Sequence, residues 1–100
     1  MQYSEEVLLK RLLKAKGIKE QSRQAIEELG ELIVELSKAL RYQSNGGAPA
    51  NLDSIAEEIA DARIMIDQME LFYNTKTRSL DYRKMKLERI RIMLDTGRGL

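Results

Sequence analysis

Glu27-Glu28-Leu29-Gly30-Glu31 is answered 30 residues later by Glu57-Glu58-Ile59-Ala60-Asp61. Each stretch opens on two adjacent glutamates and places an acid three residues after the second. Each also lies in a segment whose apolar residues recur at helical spacing. Residues i and i+3 of a helix leave one face at neighbouring points. Glu28 with Glu31, and Glu58 with Asp61, are therefore two acid pairs on two helices.

Around the first pair, Ala25, Leu29, Leu32, Leu36, Ala39 and Leu40 form one broad apolar face of a helix expected over about 19–42. Glu28, Glu31 and Glu35 fall beside that face, and Glu27 projects further round. Gly30 is unfavourable in a helix interior by about 1 kcal/mol relative to alanine. Its place in the acidic cluster points to close approach of a neighbour or ligand. Around the second pair, Ile55, Ile59, Ala62, Met65, Ile66, Met69 and Tyr73 make the stripe of a helix over about 52–73. Glu58 and Asp61 stand at its edge, as Glu28 and Glu31 do on theirs.

Residues 43–51, Gln-Ser-Asn-Gly-Gly-Ala-Pro-Ala-Asn, separate the two segments. Gly46, Gly47 and Pro49 break the helix, and Asn51 or Asp53 can cap the next one. A loop of this length lets its flanking helices lie antiparallel. Four carboxylates then converge, and such a group at the edge of a core either takes up protons or binds a cation.

Two outer helices complete the chain. Ser4 can cap the first, over about 4–16, which has Glu5 and Glu6 in its first turn and Gly17 as a stop. The last, over about 79–95, carries Leu80, Met85, Leu87, Ile90 and Leu94 among basic residues. The expected architecture is all-α, a single domain over 1–100 of four helices with a central antiparallel hairpin holding the metal site.

Composition narrows the chemistry. The 100 residues include no histidine and no cysteine. That excludes Ser-His and Cys-His nucleophilic catalysis and the usual Cys/His zinc sites. A metal must be held by oxygen, which favours Mg²⁺, Mn²⁺ or Ca²⁺. No disulfide framework is possible, no apolar run reaches the ~20 residues that span a bilayer, and the N-terminus lacks signal-peptide features. A cytoplasmic protein that does not enter the membrane is expected.

The net charge of +1 conceals three zones. Residues 1–23 carry six basic and three acidic residues, residues 24–73 three and ten, and residues 74–100 eight and three. An acidic centre between basic flanks suits a cation together with a polyanionic ligand. It disfavours a nucleic-acid binder, since the centre repels phosphate backbones. A chain this short buries a limited core, so self-association is expected.

The acid pattern, Glu27-Glu28-x-x-Glu31 followed by Glu58-x-x-Asp61, resembles the EExxE…ExxD signature of the MazG-like, all-α nucleoside triphosphate pyrophosphohydrolases. The stretch QAIEELGELIVELSKALR (24–41) is similar to that family's first metal helix, and IAEEIADARIMIDQM (55–69) to its second. KLERI (86–90) resembles the basic last helix of the family's short members from phages and Gram-positive bacteria. The resemblance covers about residues 18–94. It implies a Mg²⁺-dependent hydrolase, with Mn²⁺ as a possible substitute, that splits a (deoxy)nucleoside triphosphate into monophosphate and pyrophosphate. It implies Glu28, Glu31, Glu58 and Asp61 as metal ligands. Glu27 and Glu31 are the candidate catalytic acids, although orienting water, holding a further ion and facing solvent all remain open to Glu27. Lys38, Lys86 and Arg89 are the candidate phosphate contacts, and the resemblance points to a homodimer or homotetramer. The alternative is a non-catalytic nucleotide-binding or regulatory module of the same fold. The family's frequent N-terminal tryptophan has no counterpart here, so base preference does not carry over.

Overall fold

A computed structural model describes residues 4–99 of the chain. They form four α-helices: α1 (Glu5–Lys16), α2 (Ile18–Ser44), α3 (Leu52–Tyr73) and α4 (Lys76–Thr96). No strand occurs among the described residues.

Local chemistry sets the ends of these helices. Ser4 has extended backbone angles, and its Oγ accepts from the Val7 N–H at 3.2 Å, closing the start of α1. Gly17, at φ 83°, ends α1 and begins α2 as a one-residue link, a conformation that side chains rarely tolerate. The end of α2 lies at Ser44, beyond the expected 42, because the Asn45 N–H still reaches the Arg41 carbonyl at 3.2 Å. Helix α4 begins at Lys76, ahead of the expected 79. Asn74 takes a left-handed conformation, and the Ser79 N–H donates to the Thr75 carbonyl at 2.8 Å. Its first turn holds no acid to mark it in the sequence.

Helices α2 and α3 form an antiparallel hairpin, and α1 packs against both. Two contacts show the direction. Ser22, near the start of α2, donates its hydroxyl to the Met69 sulfur near the end of α3 at 3.9 Å. At the other end, Asn51 Nδ2 donates to the Glu35 carbonyl at 3.0 Å and to the Glu35 carboxylate at 2.6 Å. Asn51 stands at the N-cap position of α3, yet its side chain makes no cap bond: Nδ2 is turned to Glu35, and Oδ1, the atom that would cap, is buried without a partner.

The buried apolar core is small: Ala25, Ala39, Ala62 and Met65. Three of the four are alanines, so the helices approach closely but remove little area from water. Met65, 5% exposed, is the one large apolar side chain buried among the described residues, and truncating it leaves a hole that a thin core cannot refill. Met65→Ala is expected to lower stability by about 2–3 kcal/mol, read as a shift in the urea midpoint with little change in slope. Gln21 and Gln68 are also buried, and Gln68 has no exposed surface at all.

Helix α4 packs little against the other three. All of its side chains except the half-buried Met93 are exposed. Much of its support is local: Arg91 pairs with both Glu88 and Asp95, and the Thr96 hydroxyl donates to the Ile92 carbonyl at 2.7 Å. The chain is consequently extended. Its radius of gyration is 17.4 Å, against about 13 Å for a compact domain of this length. No helix among the described residues is long and apolar enough to cross a membrane.

Candidate functional site

The hairpin brings Glu28 and Glu31 of α2 against Glu58 of α3. One carboxylate oxygen from each lies within 4.8 Å of the other two. The i, i+3 spacing puts the α2 pair on one face, and the antiparallel register sets Glu58 opposite.

Each acid sits in a different environment. Glu28 is held from its own helix, where Gln24 Nε2 donates to its Oε1 at 2.6 Å. Its other oxygen, Oε2, is buried without a partner, and so is Oε2 of Glu58. Glu31 is exposed. Burial, reinforced by the charge of Glu31 and the neighbouring Glu28, pushes the Glu58 carboxyl up from 4.5 to about 7. The charge of Glu28, then partial burial, raises Glu31 as well. No basic side chain makes an ion pair with these three acids among the described residues.

Buried, unpartnered carboxylate oxygens are costly to leave as anions. Two such oxygens, from Glu28 and Glu58, with the exposed Glu31 carboxylate beside them, form a hard, negatively charged donor set, which is what Mg²⁺, Mn²⁺ and Ca²⁺ take. The residues therefore fit a divalent cation. The donor chemistry alone does not select one of the three.

The other sequence candidates fall outside this group. Asp61 lies one turn beyond Glu58 on α3, half-buried, and is not one of the three converging acids. Glu27 is exposed, away from the face that meets α3. Lys38 is engaged with Glu35, Nζ to Oε1 at 3.2 Å. Glu35 itself, expected beside the acid cluster, is drawn to the loop end. The Asn51 amide holds its carboxyl below the usual range, and Lys38 adds to this. Lys86 and Arg89 lie on α4, exposed, and Lys86 lines an open cleft with Ser79, Tyr82, Arg83, Leu87 and Ile90.

Sequence reasoning missed Gln24, which orients Glu28. Its signal was present as an i, i+4 pairing of amide and carboxylate. The Asn51–Glu35 clasp joins residues 16 apart, and no local pattern announces it.

An apolar hollow of about 260 Å³ between α2 and α3 is lined by Ala25, Leu29, Met65, Ile66, Met69 and Tyr73, together with Glu70, Thr75 and Ser79 and none of the three acids. Comparisons with protein-family models, with curated proteins and with solved structures returned no match.

Proposed function

We propose that the protein is a Mg²⁺-dependent nucleoside triphosphate pyrophosphohydrolase of the MazG-like type, acting on nucleotide pools in the cytoplasm. One observation carries the reading. Glu28 and Glu58 each keep a buried carboxylate oxygen without a partner, next to a third carboxylate from Glu31. The resemblance in the paired acid motifs supplies the substrate class.

In this reading Glu28, Glu31 and Glu58 hold the cation, with Asp61 as the further ligand that the motif implies. Bound there, Mg²⁺ supplies charge neutralisation for the triphosphate and acidifies a bound water. The chain does the rest by positioning. Gln24 fixes the Glu28 carboxylate through one oxygen and leaves the other free. Glu31 is reachable by water and suits proton acceptance, with Glu27 on the same helix as a second acceptor. Water adds to the α phosphorus while the bond to the oxygen bridging α and β breaks. The products are a monophosphate and pyrophosphate. Such chemistry relies on positioning and charge neutralisation rather than a covalent nucleophile, so a chain without histidine or cysteine is equipped for it.

A panel of (d)NTPs assayed for pyrophosphate with Mg²⁺ is expected to give turnover on at least one member. A folded protein inert toward the whole panel with both Mg²⁺ and Mn²⁺ contradicts the proposal. A second reading, a nucleotide-binding module without catalysis, is favoured by the placement of Lys86 and Arg89 on the outstanding α4. Calorimetry separates the two: the module binds nucleotide without needing Mg²⁺.

A further inference from the structure

Two glutamines are buried without the hydrogen bonds that burial demands. Gln68 of α3 has no exposed surface and Gln21 of α2 is 4% exposed. Yet Oε1 of Gln21, and both Oε1 and Nε2 of Gln68, have no partner. Buried polar groups are nearly always paired. Each group left unmet weighs against the arrangement that buries it by a factor of about ten.

Both residues lie where α1 meets the hairpin. Gln21 stands one turn into α2 from the link at Gly17, whose carbonyl accepts from the Gln21 N–H at 3.0 Å. Gln68 follows Asp67 and precedes Leu71 by one turn, and those two line a cleft with Glu5, Glu6, Leu9 and Lys10 of α1. Gln68 is therefore at the border where α3 turns from α2 toward α1. The contact between Ser22 and Met69, the next residue on each helix, sets the two glutamines at one level of the hairpin.

The cover that α1 provides is light. None of its side chains is buried, and Leu9, Leu12 and Leu13 are only half-buried. Apart from Arg11, no side chain of α1 makes a hydrogen bond or ion pair to another helix among the described residues; Glu6 and Lys10 pair with each other. The link to α2 is the single residue Gly17 at φ 83°, and a Cβ there would meet nothing within 4 Å. Glycine accepts backbone angles closed to other residues, and the space around this one is open.

We propose that α1 is a flap hinged at Gly17, which swings as an intact helix and uncovers Gln21 and Gln68 while the α2–α3 hairpin stays folded. The closed position is a balance of opposed terms. Three half-buried leucines favour closing, and three orphan polar atoms favour opening, because water meets them there. The hairpin carries no such conflict at Ala62 and Met65, and the Asn51 amide ties its far end to Glu35. Gln21 shares a face of α2 with Gln24 and Glu28, at i, i+3 and i+7. The flap thus admits water to the start of the line of side chains that ends at the acids. The device stands whether or not those acids bind a cation.

Thiol labelling tests it. The chain has no cysteine, so one introduced thiol reports the exposure of its own position. Gln21→Cys is expected to react with dithionitrobenzoate at least about a hundredfold faster than Ala62→Cys, because the first needs only the flap to open and the second needs the hairpin to unfold. Adding Gln68→Met keeps the length of that side chain and removes its amide. The addition is expected to slow labelling of Gln21→Cys at least about tenfold. The unmodified protein supplies a measurement that no folding defect can spoil. Its Gln68 side-chain amide protons are expected to exchange with water at least about a hundredfold faster than the Met65 backbone amide, after division by intrinsic rates. Equal protection within either pair of positions overturns the flap. So does a Gln68→Met variant that labels no more slowly, since the buried amide then costs the closed position nothing.

Discussion

Glu58→Gln is expected to abolish the proposed Mg²⁺-dependent release of pyrophosphate and, in the same protein, to raise the thermal midpoint of the metal-free form near pH 8. The two effects have one origin. Glutamine keeps the shape of the side chain but removes a negative charge from a cluster of three carboxylates that repel one another and resist desolvation. Without metal, that relief stabilises the fold. With metal, the same change deletes an anionic ligand. Partners that merely support a metal ligand already cost about 10–100-fold when removed, so losing a direct ligand should cost at least about a hundredfold in turnover. Paired assays and melts on one preparation check both signs. Full activity together with an unchanged midpoint would show that Glu58 is an ordinary surface-edge acid. A gain in stability without a loss of activity would keep the repulsion and remove the metal assignment. Trade-offs of this kind are expected where a functional site holds like charges together.

The second large effect is a reversal in how stability depends on pH. The Glu58 carboxyl is raised from 4.5 to about 7 in the folded chain. Between those values the folded state holds a proton that the unfolded state has released. Stability without metal therefore falls as pH rises through that window. Glu31, raised chiefly by the charge of Glu28, acts in the same direction. Glu35 and Glu88 are lowered, by Asn51 and by Arg91 respectively. Their contributions are present above 4.5 and are lost as pH falls through their lowered values, which lie outside the window. Saturating Mg²⁺ should invert the trend. Its ligands must be deprotonated, so affinity grows with pH, and a hundredfold excess over Kd adds about 2.7 kcal/mol. Melting curves from pH 5 to 8, with and without Mg²⁺, are expected to diverge toward the alkaline end. Parallel curves would contradict a cation at this cluster.

Much of this architecture was legible in the residues. Four helical segments follow from apolar spacing and from Gly17, Gly46, Gly47 and Pro49. The i, i+3 acids follow from helix geometry, and the loop between the two stretches allows their helices to lie antiparallel. What escaped reading depended on distance along the chain or on the absence of a neighbour. The Asn51 side chain is locally a capping group, and only the folded hairpin shows that its amide nitrogen turns to Glu35 while the oxygen stays unpartnered. Asp61 and Glu58 read as equivalent acids on one stripe; the folded hairpin groups Glu58 with Glu28 and Glu31, and Asp61 lies one turn further along α3. Ile26 and Ile33 look like any amphipathic residues but are exposed, because periodicity reports that a face is apolar and not whether a neighbour covers it. The start of α4 carries no acid, and its outstanding position reflects contacts that it does not make.

That outstanding position divides the molecule energetically. Helix α4 shares almost no burial with the hairpin, so opening it costs the hairpin little, and it can exchange its amide hydrogens without global unfolding. Most helical stability in proteins comes from tertiary packing, which α4 largely lacks. The amides of α4 should therefore exchange first and as a block, while those around Ala25, Ala62 and Met65 wait for the whole three-helix unit. Within a single chain, melting is then a two-step process, with α4 lost before the unit that carries the three acids.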